Sequence, residues 1–457
     1  MSRRTPSRPG RIAVLAAVAL ATAAAPADAD DWPRFRGPTG QGVSDATGLP
    51  VAWSESKNIA WKTPLAGVGW SSPVIADGRV WLTAARATMR SEAEMQRLRE
   101  TKYADYGSTK GLVMASRVDF DVLAIDAATG EIVHEKTLFT ALDPAPKHNL
   151  NSYASPTPVL FEGDRVVCHF GTYGTACLDT DTAEVVWTRR LECDHSVGPG
   201  SSPLYAEGLI VIPCDGVDTQ YVEALYWETG VTVWKTPRPP MGGDNFEKFK
   251  AFSTPLLIPR GPGRGRGREL VITTAQWVCA YDVPTGTELW RVSTDLDFST
   301  VPTPVFHDGL VYAATGFPRP RLFAIDPTGS GDVTDSRVAW RATSQVPKMP
   351  SPVVAPAAGR DAAVWLAGDK GVVTALDPAT GENLDRFRLS GNFVASPLYA
   401  DGRLYISNRD ATTYVLDPAT GDVLAENDLD GEQLASLAVA DGGLFIRTDG
   451  FLYRVSK

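Results

Sequence analysis

Short apolar and aromatic runs, such as Val80-Trp81-Leu82, Leu310-Val311-Tyr312 and Leu404-Tyr405-Ile406, recur along the chain, each just behind a glycine. Upstream lies a second landmark. Pro73, Pro158, Pro203, Pro304 and Pro397 each follow Ser or Thr and stand five residues before Gly78, Gly163, Gly208, Gly309 and Gly402. Ser351-Pro352 and Thr254-Pro255 open copies with longer turns, and Ser436-Leu437, with Gly442 behind it, is a copy without the proline. A third landmark closes each unit: Asp126-Ala-Ala-Thr-Gly130, Asp282-Val-Pro-Thr-Gly286, Asp377-Pro-Ala-Thr-Gly381 and Asp417-Pro-Ala-Thr-Gly421, with looser copies at Asp179, Trp227 and Asp326. The Asp carboxylate accepts from backbone N–H groups ahead of it, and Gly takes the position that needs positive φ.

Each unit therefore reads strand, Gly turn, strand, loop, strand, Asp/Gly turn, strand. That is a four-stranded meander, repeated every about 40 to 56 residues. Seven units are complete, and the last, residues 436–457, stops after three strands. Asn58-Ile-Ala-Trp61-Lys-Thr is an unclaimed strand that supplies the missing one. The expected fold is all-β: an eight-bladed β-propeller of four-stranded antiparallel blades, closed by an N-terminal strand that joins the last blade. Closure removes the open sheet edges. A proline opening each first strand suits an innermost edge strand facing a channel, where a missing N–H is tolerated.

The N-terminus carries a different pattern. Arg3, Arg4, Arg8 and Arg11 precede the apolar run 12–25, and Ala27-Asp28-Ala29 follows. That order reads as a secretory signal peptide cleaved near Ala29, so an exported, periplasmic or extracellular protein is expected. The expected organisation is signal peptide 1–29, lead-in 30–50 and propeller 51–457. No transmembrane segment is expected in the mature chain.

Composition changes the picture in one respect. Lys and Arg total 44 against 54 Asp and Glu, a net charge of −10, and cleavage would remove four arginines and make the chain more acidic. Such a surface does not grip a phosphate backbone, so no nucleic-acid partner is expected. The run Gly261–Arg268 is too small a basic feature to alter this and reads as a hairpin tip.

The repeat landmarks together resemble the bacterial PQQ-like β-propeller repeat proteins, a grouping that includes BamB-like assembly propellers and the propellers of quinoprotein dehydrogenases. The resemblance covers about residues 51–457 and rests on the Asp-x-x-Thr-Gly-x-x-x-Trp copies taken as a set. It implies that Trp61, Trp187, Trp234, Trp290 and Trp340 are structural and pack between neighbouring blades. It does not imply that the cofactor binds. Quinoprotein dehydrogenases of the family set adjacent cysteines against the quinone and hold Ca²⁺ through carboxylate and amide oxygens. Here the cysteines are 168, 177, 193, 214 and 279, none adjacent to another. No cofactor and no metal are therefore expected, and PQQ with Ca²⁺ enters only under an alternative reading as a quinoprotein-like oxidoreductase.

Candidate binding residues come from the loops. His148, Asn151 and Ser152 precede the inner strand of the second unit, and Lys250 precedes Ser253-Thr254-Pro255, which places them at one mouth of the channel. Asp194-His195 and Asp215, Asp218 and Gln220 lie in loops of neighbouring strands, either as an oxygen-rich site or as carboxylates that cap turns. No catalytic residue is assigned. Cys168 and Cys177 face each other if Gly171–Gly174 is a hairpin turn, which makes a cross-strand disulfide a candidate; Cys193 and Cys214 have no register argument. Residues 87–106 read as a charged helix opened by a Ser91–Glu94 capping box. The expected function is a monomeric, non-enzymatic scaffold that binds a protein partner or small ligand in the cell envelope, including a role in envelope assembly.

Overall fold

The computed structural model describes residues 31–104, 111–261 and 267–457. Residues 1–29, expected to be a signal peptide, most of the basic turn Gly261–Arg268 and the end of the 87–106 insertion lie outside them. Eight antiparallel meanders follow one another around a ring, as the repeat requires. Blade one is typical in order: Val74–Ala76 innermost, then Arg79–Met89, Ala115–Asp126 and Ile132–Leu142 at the perimeter. Buried apolar residues lie in clusters shared between adjacent blades, so each sheet gets its core from its neighbours. The strand Ile59–Pro64 completes blade eight by antiparallel pairing with Phe451–Val455, Trp61 opposite Arg454. The ends of the ring are thus joined by hydrogen bonds.

The Ser/Thr that precedes each inner strand has a role that its spacing did not disclose. The backbone N–H of Ser72 donates to Thr157 Oγ1, Thr157 to Ser202 Oγ, and Ser202 to Thr254 Oγ1, at 2.9 to 3.1 Å. The chain of bonds resumes at Thr303, passes through Ser351 and Ser396 to Ser436, and returns to Ser72 Oγ at 3.1 Å. One step is missing: Thr303 Oγ1 is buried without a partner. Innermost strands have a free edge. This hoop of hydroxyls satisfies its N–H groups from blade to blade.

The lead-in floors the channel. Trp32 exchanges backbone hydrogen bonds with Ile75 of blade one, at 2.8 and 2.9 Å. Leu160 of blade two donates to Pro33 O, Phe306 of blade five to Gln41 Oε1, and Tyr399 of blade seven to Gly42 O. Val43–Ser44 adds to blade seven as a parallel inner strand. Each acceptor meets an N–H on the exposed edge of an innermost strand, which is why this stretch binds there. Arg36, fully buried, donates to Pro352 O and Gln41 O, and burial lowers its pKa to about 9.

Two expectations need correction. The insertion is not helical from residue 87: Arg79–Met89 remains strand, paired as far as Met89 with Ala115, and the helix is Glu92–Glu100. Ser91 sets that start, because both arms of its capping box with Glu94 are formed. The Cys168–Cys177 disulfide does not form. The hairpin exists, but it pairs His169 with Thr175, so Cys168 meets Ala176 and Cys177 meets Val167. A one-residue offset in a strand points the two side chains to opposite faces. Cys168 packs towards blade one and Cys177 towards blade three.

Candidate functional site: the blind mouth of the channel

Above the hydroxyl hoop the channel opens into a cavity of about 560 Å³. Phe35 of the lead-in lines it, together with Ser72, Thr157, Ser202, Thr254, Ser351 and Ser436 of the hoop. Two residues before each hoop position a second ring faces inward: Trp70, Ser155, Gly200, Phe252, Val301, Met349, Val394 and Leu434. This spacing follows from extended backbone, in which alternate residues share a face. Six of the eight are large and apolar. The small pair, Ser155 and Gly200, opens the wall at blades two and three. Phe298 and Phe317 add aromatic surface at the rim.

Through that opening the cavity meets its polar wall. Lys250 Nζ donates to Ser196 Oγ at 3.0 Å and forms a short ion pair with Glu247, while Ser196 Oγ donates to Glu247 Oε2 at 3.1 Å. Glu247 is placed by a single-turn helix, Phe246–Lys248, whose cap Asn245 accepts from the Glu247 N–H. Lys348 lies across the rim with its ammonium 3.8 Å from the centre of the Phe317 ring. Its backbone N–H and that of Met349 donate to Asp369, whose pKa is raised by burial. The cavity thus combines a wide apolar ring with two lysines and one glutamate.

The blade-one insertion reaches this site. Leu112–Val113 pairs with Lys147–His148, and Leu112 lines the cavity. Tyr103, Leu112 and Met114 form a small core with Met95 and Leu98 of the helix and Val197 of the loop after blade two. His148 lines the cavity, its pKa lowered by burial and by the neighbouring charges of Lys147 and Lys250.

The structure divides the sequence candidates into two groups. His148, Asn151 and Lys250 line the cavity. Asn151 also buttresses it, donating to Val197 O and Pro199 O and accepting from Ser155. Ser152 is buried behind the wall, where its hydroxyl accepts from the Trp70 N–H. Asp194, His195, Asp215, Asp218 and Gln220 converge on another place, the junction of the loop after blade two with blade three. Asp215 is buried in a two-pronged ion pair with Arg238, at 2.8 and 2.7 Å. Asp218 accepts from the Asp194 N–H, Asp194 from the Ser196 N–H, and Gln220 donates to Gly216 O. His195 is buried, which lowers its pKa to about 4. These carboxylates cap backbone and pair with arginine, and no group of three His, Cys, Asp or Glu converges on a metal position among the described residues. Sequence reasoning missed Phe35, Trp70, Phe252, Glu247 and Ser196. The position two before each Ser/Thr-Pro would have found Trp70 and Phe252.

The motif tryptophans pack between blades. Trp61, Trp187, Trp234 and Trp340 each donate from Nε1 to a carbonyl in the next blade's Asp/Gly turn: Ala127, Trp227, Val283 and Pro378, at 2.7 to 3.0 Å. Trp290 instead donates to Glu269 of its own blade, beside the shortened turn Asp326–Gly329. Its ring still lies in the core shared with blade five.

A ring of this architecture with a blind central pocket belongs to the class of PQQ-like repeat propellers. The sequence matches the family model described as outer membrane protein assembly factor BamB over residues 104–261, 218–385 and 331–441, and the chain belongs to that family. No curated protein sequence matches it significantly. Among solved structures, BamB from Moraxella catarrhalis aligns over 76% of this chain and 93% of its own, with TM-score 0.52 and 15% identity. The quinohemoprotein alcohol dehydrogenase ADHIIG from Pseudomonas putida HK5 aligns over 93% of this chain and 80% of its own, with TM-score 0.58 and 12% identity. The corresponding enzyme from Comamonas testosteroni gives 94%, 81%, 0.51 and 15%. At these identities the likeness is one of fold.

Whether a quinone with Ca²⁺ fits is decided by the donors. Among the described residues the cavity is lined by a single carboxylate, Glu247, which is engaged by Lys250 and Ser196, and by no cysteine. That set does not make the oxygen-rich cation site such a cofactor needs.

Proposed function

We propose that this chain is an exported, non-enzymatic binding scaffold of the cell envelope, which takes a small ligand or a segment of a protein partner into the blind mouth of its channel. The observation that carries this reading is the cavity itself: a rigid apolar ring closed below by Phe35 and opened sideways at Ser155 and Gly200 onto Lys250 and Glu247. Pockets that bind specifically combine apolar walls with few, fixed polar groups. Family membership supports a protein partner in envelope assembly, and the acidic exterior argues against nucleic acid.

The test is capture of an envelope partner by the wild-type protein and by Val394→Trp, which fills the cavity from its apolar ring. Loss of capture on filling supports the reading, and undiminished capture moves binding elsewhere. Calorimetric titration with PQQ, with and without Ca²⁺, examines the enzymatic alternative. No saturable heat is expected; one-to-one binding would overturn the non-enzymatic assignment.

A further inference from the structure

Cys193 and Cys214 come from different elements. Cys193 stands in the irregular stretch after the outermost strand of blade two, and Cys214 in the strand Leu209–Asp215 of blade three, opposite Tyr221. Both thiols are free and buried in one apolar cluster. Tyr221 lies in the same cluster, directly opposite Cys214, and its hydroxyl reaches the carbonyl of Glu192, the residue before Cys193. A Cβ on Gly216 would come within 2.7 Å of Cys193 Sγ, so the bare glycine leaves room for the sulfur.

The loop is fastened on both sides of Cys193. The Tyr221 hydroxyl donates to Glu192 O at 2.9 Å, and the Asp194 N–H donates to Asp218 Oδ1 at 2.7 Å. Val217 N–H in turn donates to Asp194 O. These contacts present one thiol to the other without any help from a bond between them.

We propose that Cys193 and Cys214 close to a disulfide that staples the loop after blade two onto blade three. Two S–H bonds break and one S–S bond forms. The two electrons and two protons pass to an incoming disulfide, such as oxidised glutathione or a disulfide-bearing thiol oxidase, which departs as two thiols. The neighbouring Cys214 and then burial push the Cys193 thiol up, so the exchange takes place as the chain folds or opens locally. The stapled segment runs on to Ser196, whose hydroxyl meets Lys250 and Glu247. Oxidation therefore stiffens the polar wall of the cavity. Cys168 and Cys279 lie in other clusters, and Cys177 shares this one from the strand Thr175–Asp179 of blade two.

The full mature chain is refolded across a range of oxidised to reduced glutathione, its free thiols are alkylated in denaturant, and it is digested with a protease that cuts after glutamate. The expected product is peptide 193–207 joined to peptide 208–223 until reductant is added, with Cys168, Cys177 and Cys279 alkylated. Alkylation of all five cysteines at every ratio, or a link between any other pair, overturns the proposal. Wild-type protein should melt a few degrees lower after reduction, whereas Cys193→Ser should melt at one temperature with or without reductant. A reductant effect that persists in Cys193→Ser also overturns it. Cys168→Ala, which should keep the link, controls for variants that fail to fold.

Discussion

The ring of Trp61 covers Gly130 so closely that a Cβ on the glycine would lie 2.6 Å from it, while the indole N–H donates to the Ala127 carbonyl of the same turn. The Trp of one blade and the Gly of the next are thus one device. The pattern repeats for Trp187 on Gly230, Trp234 on Gly286 and Trp340 on Gly381, with Cβ clearances of 2.6, 2.4 and 2.6 Å. The junction of blade two with blade one lacks both members of this device. Its turn ends in Ala183 rather than Gly, and the residue that faces it is His134 in place of a tryptophan.

Gly286→Ala should therefore destabilise strongly, because Cβ meets the Trp234 ring and φ is +68°. Gly163→Ala, with positive φ but nothing within 4 Å, should cost only about 1 kcal/mol. Ala183→Gly should be neutral or stabilising, since it relieves φ of +54° in a place with no indole above it. Urea unfolding of the three variants checks the order. Equal losses for Gly286→Ala and Gly163→Ala would refute the coupling of Trp to Gly.

The hydroxyl hoop makes a second contrast. Ser396→Ala strips the acceptor from the buried Ser351 N–H and should cost about 1–3 kcal/mol. Thr303→Val removes a hydroxyl that already lacks a partner, so it should be neutral or stabilising. Thermal unfolding of the pair measures the difference, and similar destabilisation by both would contradict the hoop.

Acid should weaken the fold over a defined window. Burial holds the pKa of His169 at about 3 and of His195 at about 4, against 6.5 when unfolded. Below 6.5 the unfolded chain takes up protons that the folded chain refuses, so stability is complete above that value and falls as the pH drops towards 4. Each histidine contributes a slope of about 1.4 kcal/mol per pH unit there. Replacing His169 with Gln should flatten the pH dependence of unfolding by one proton; an unchanged slope would show that His169 does not titrate as burial dictates.

Much of the ring was legible in the chain and some of it was not, for a physical reason. Asp-x-x-x-Gly turns and Gly hairpins are local, so their chemistry announces the meander, and the missing strand of the last unit pointed to Ile59–Pro64. The link from Ser72 to Ser436 exists only once the ring has closed, and no local signal carries it. The same holds for Phe35 at the channel floor and for Ser196 and Glu247 at the wall, which arrive from the loops after blades two and three, whereas Lys250 was legible from its place just before Ser253-Thr254-Pro255. Cys168 and Cys177 failed on register: the turn at Gly171–Gly174 pairs His169 with Thr175, and that single choice turns the two thiols apart.

The central claim, that the blind channel mouth is where a ligand or partner engages, is tested most directly by site-specific crosslinking. A photoreactive phenylalanine is placed at Phe317 on the cavity rim, and separately at Val231 on the outer perimeter, in cells producing the full chain. The expected result is a discrete adduct from position 317 that disappears with Val394→Trp, and none from position 231. An adduct from the perimeter with none from the rim would contradict it.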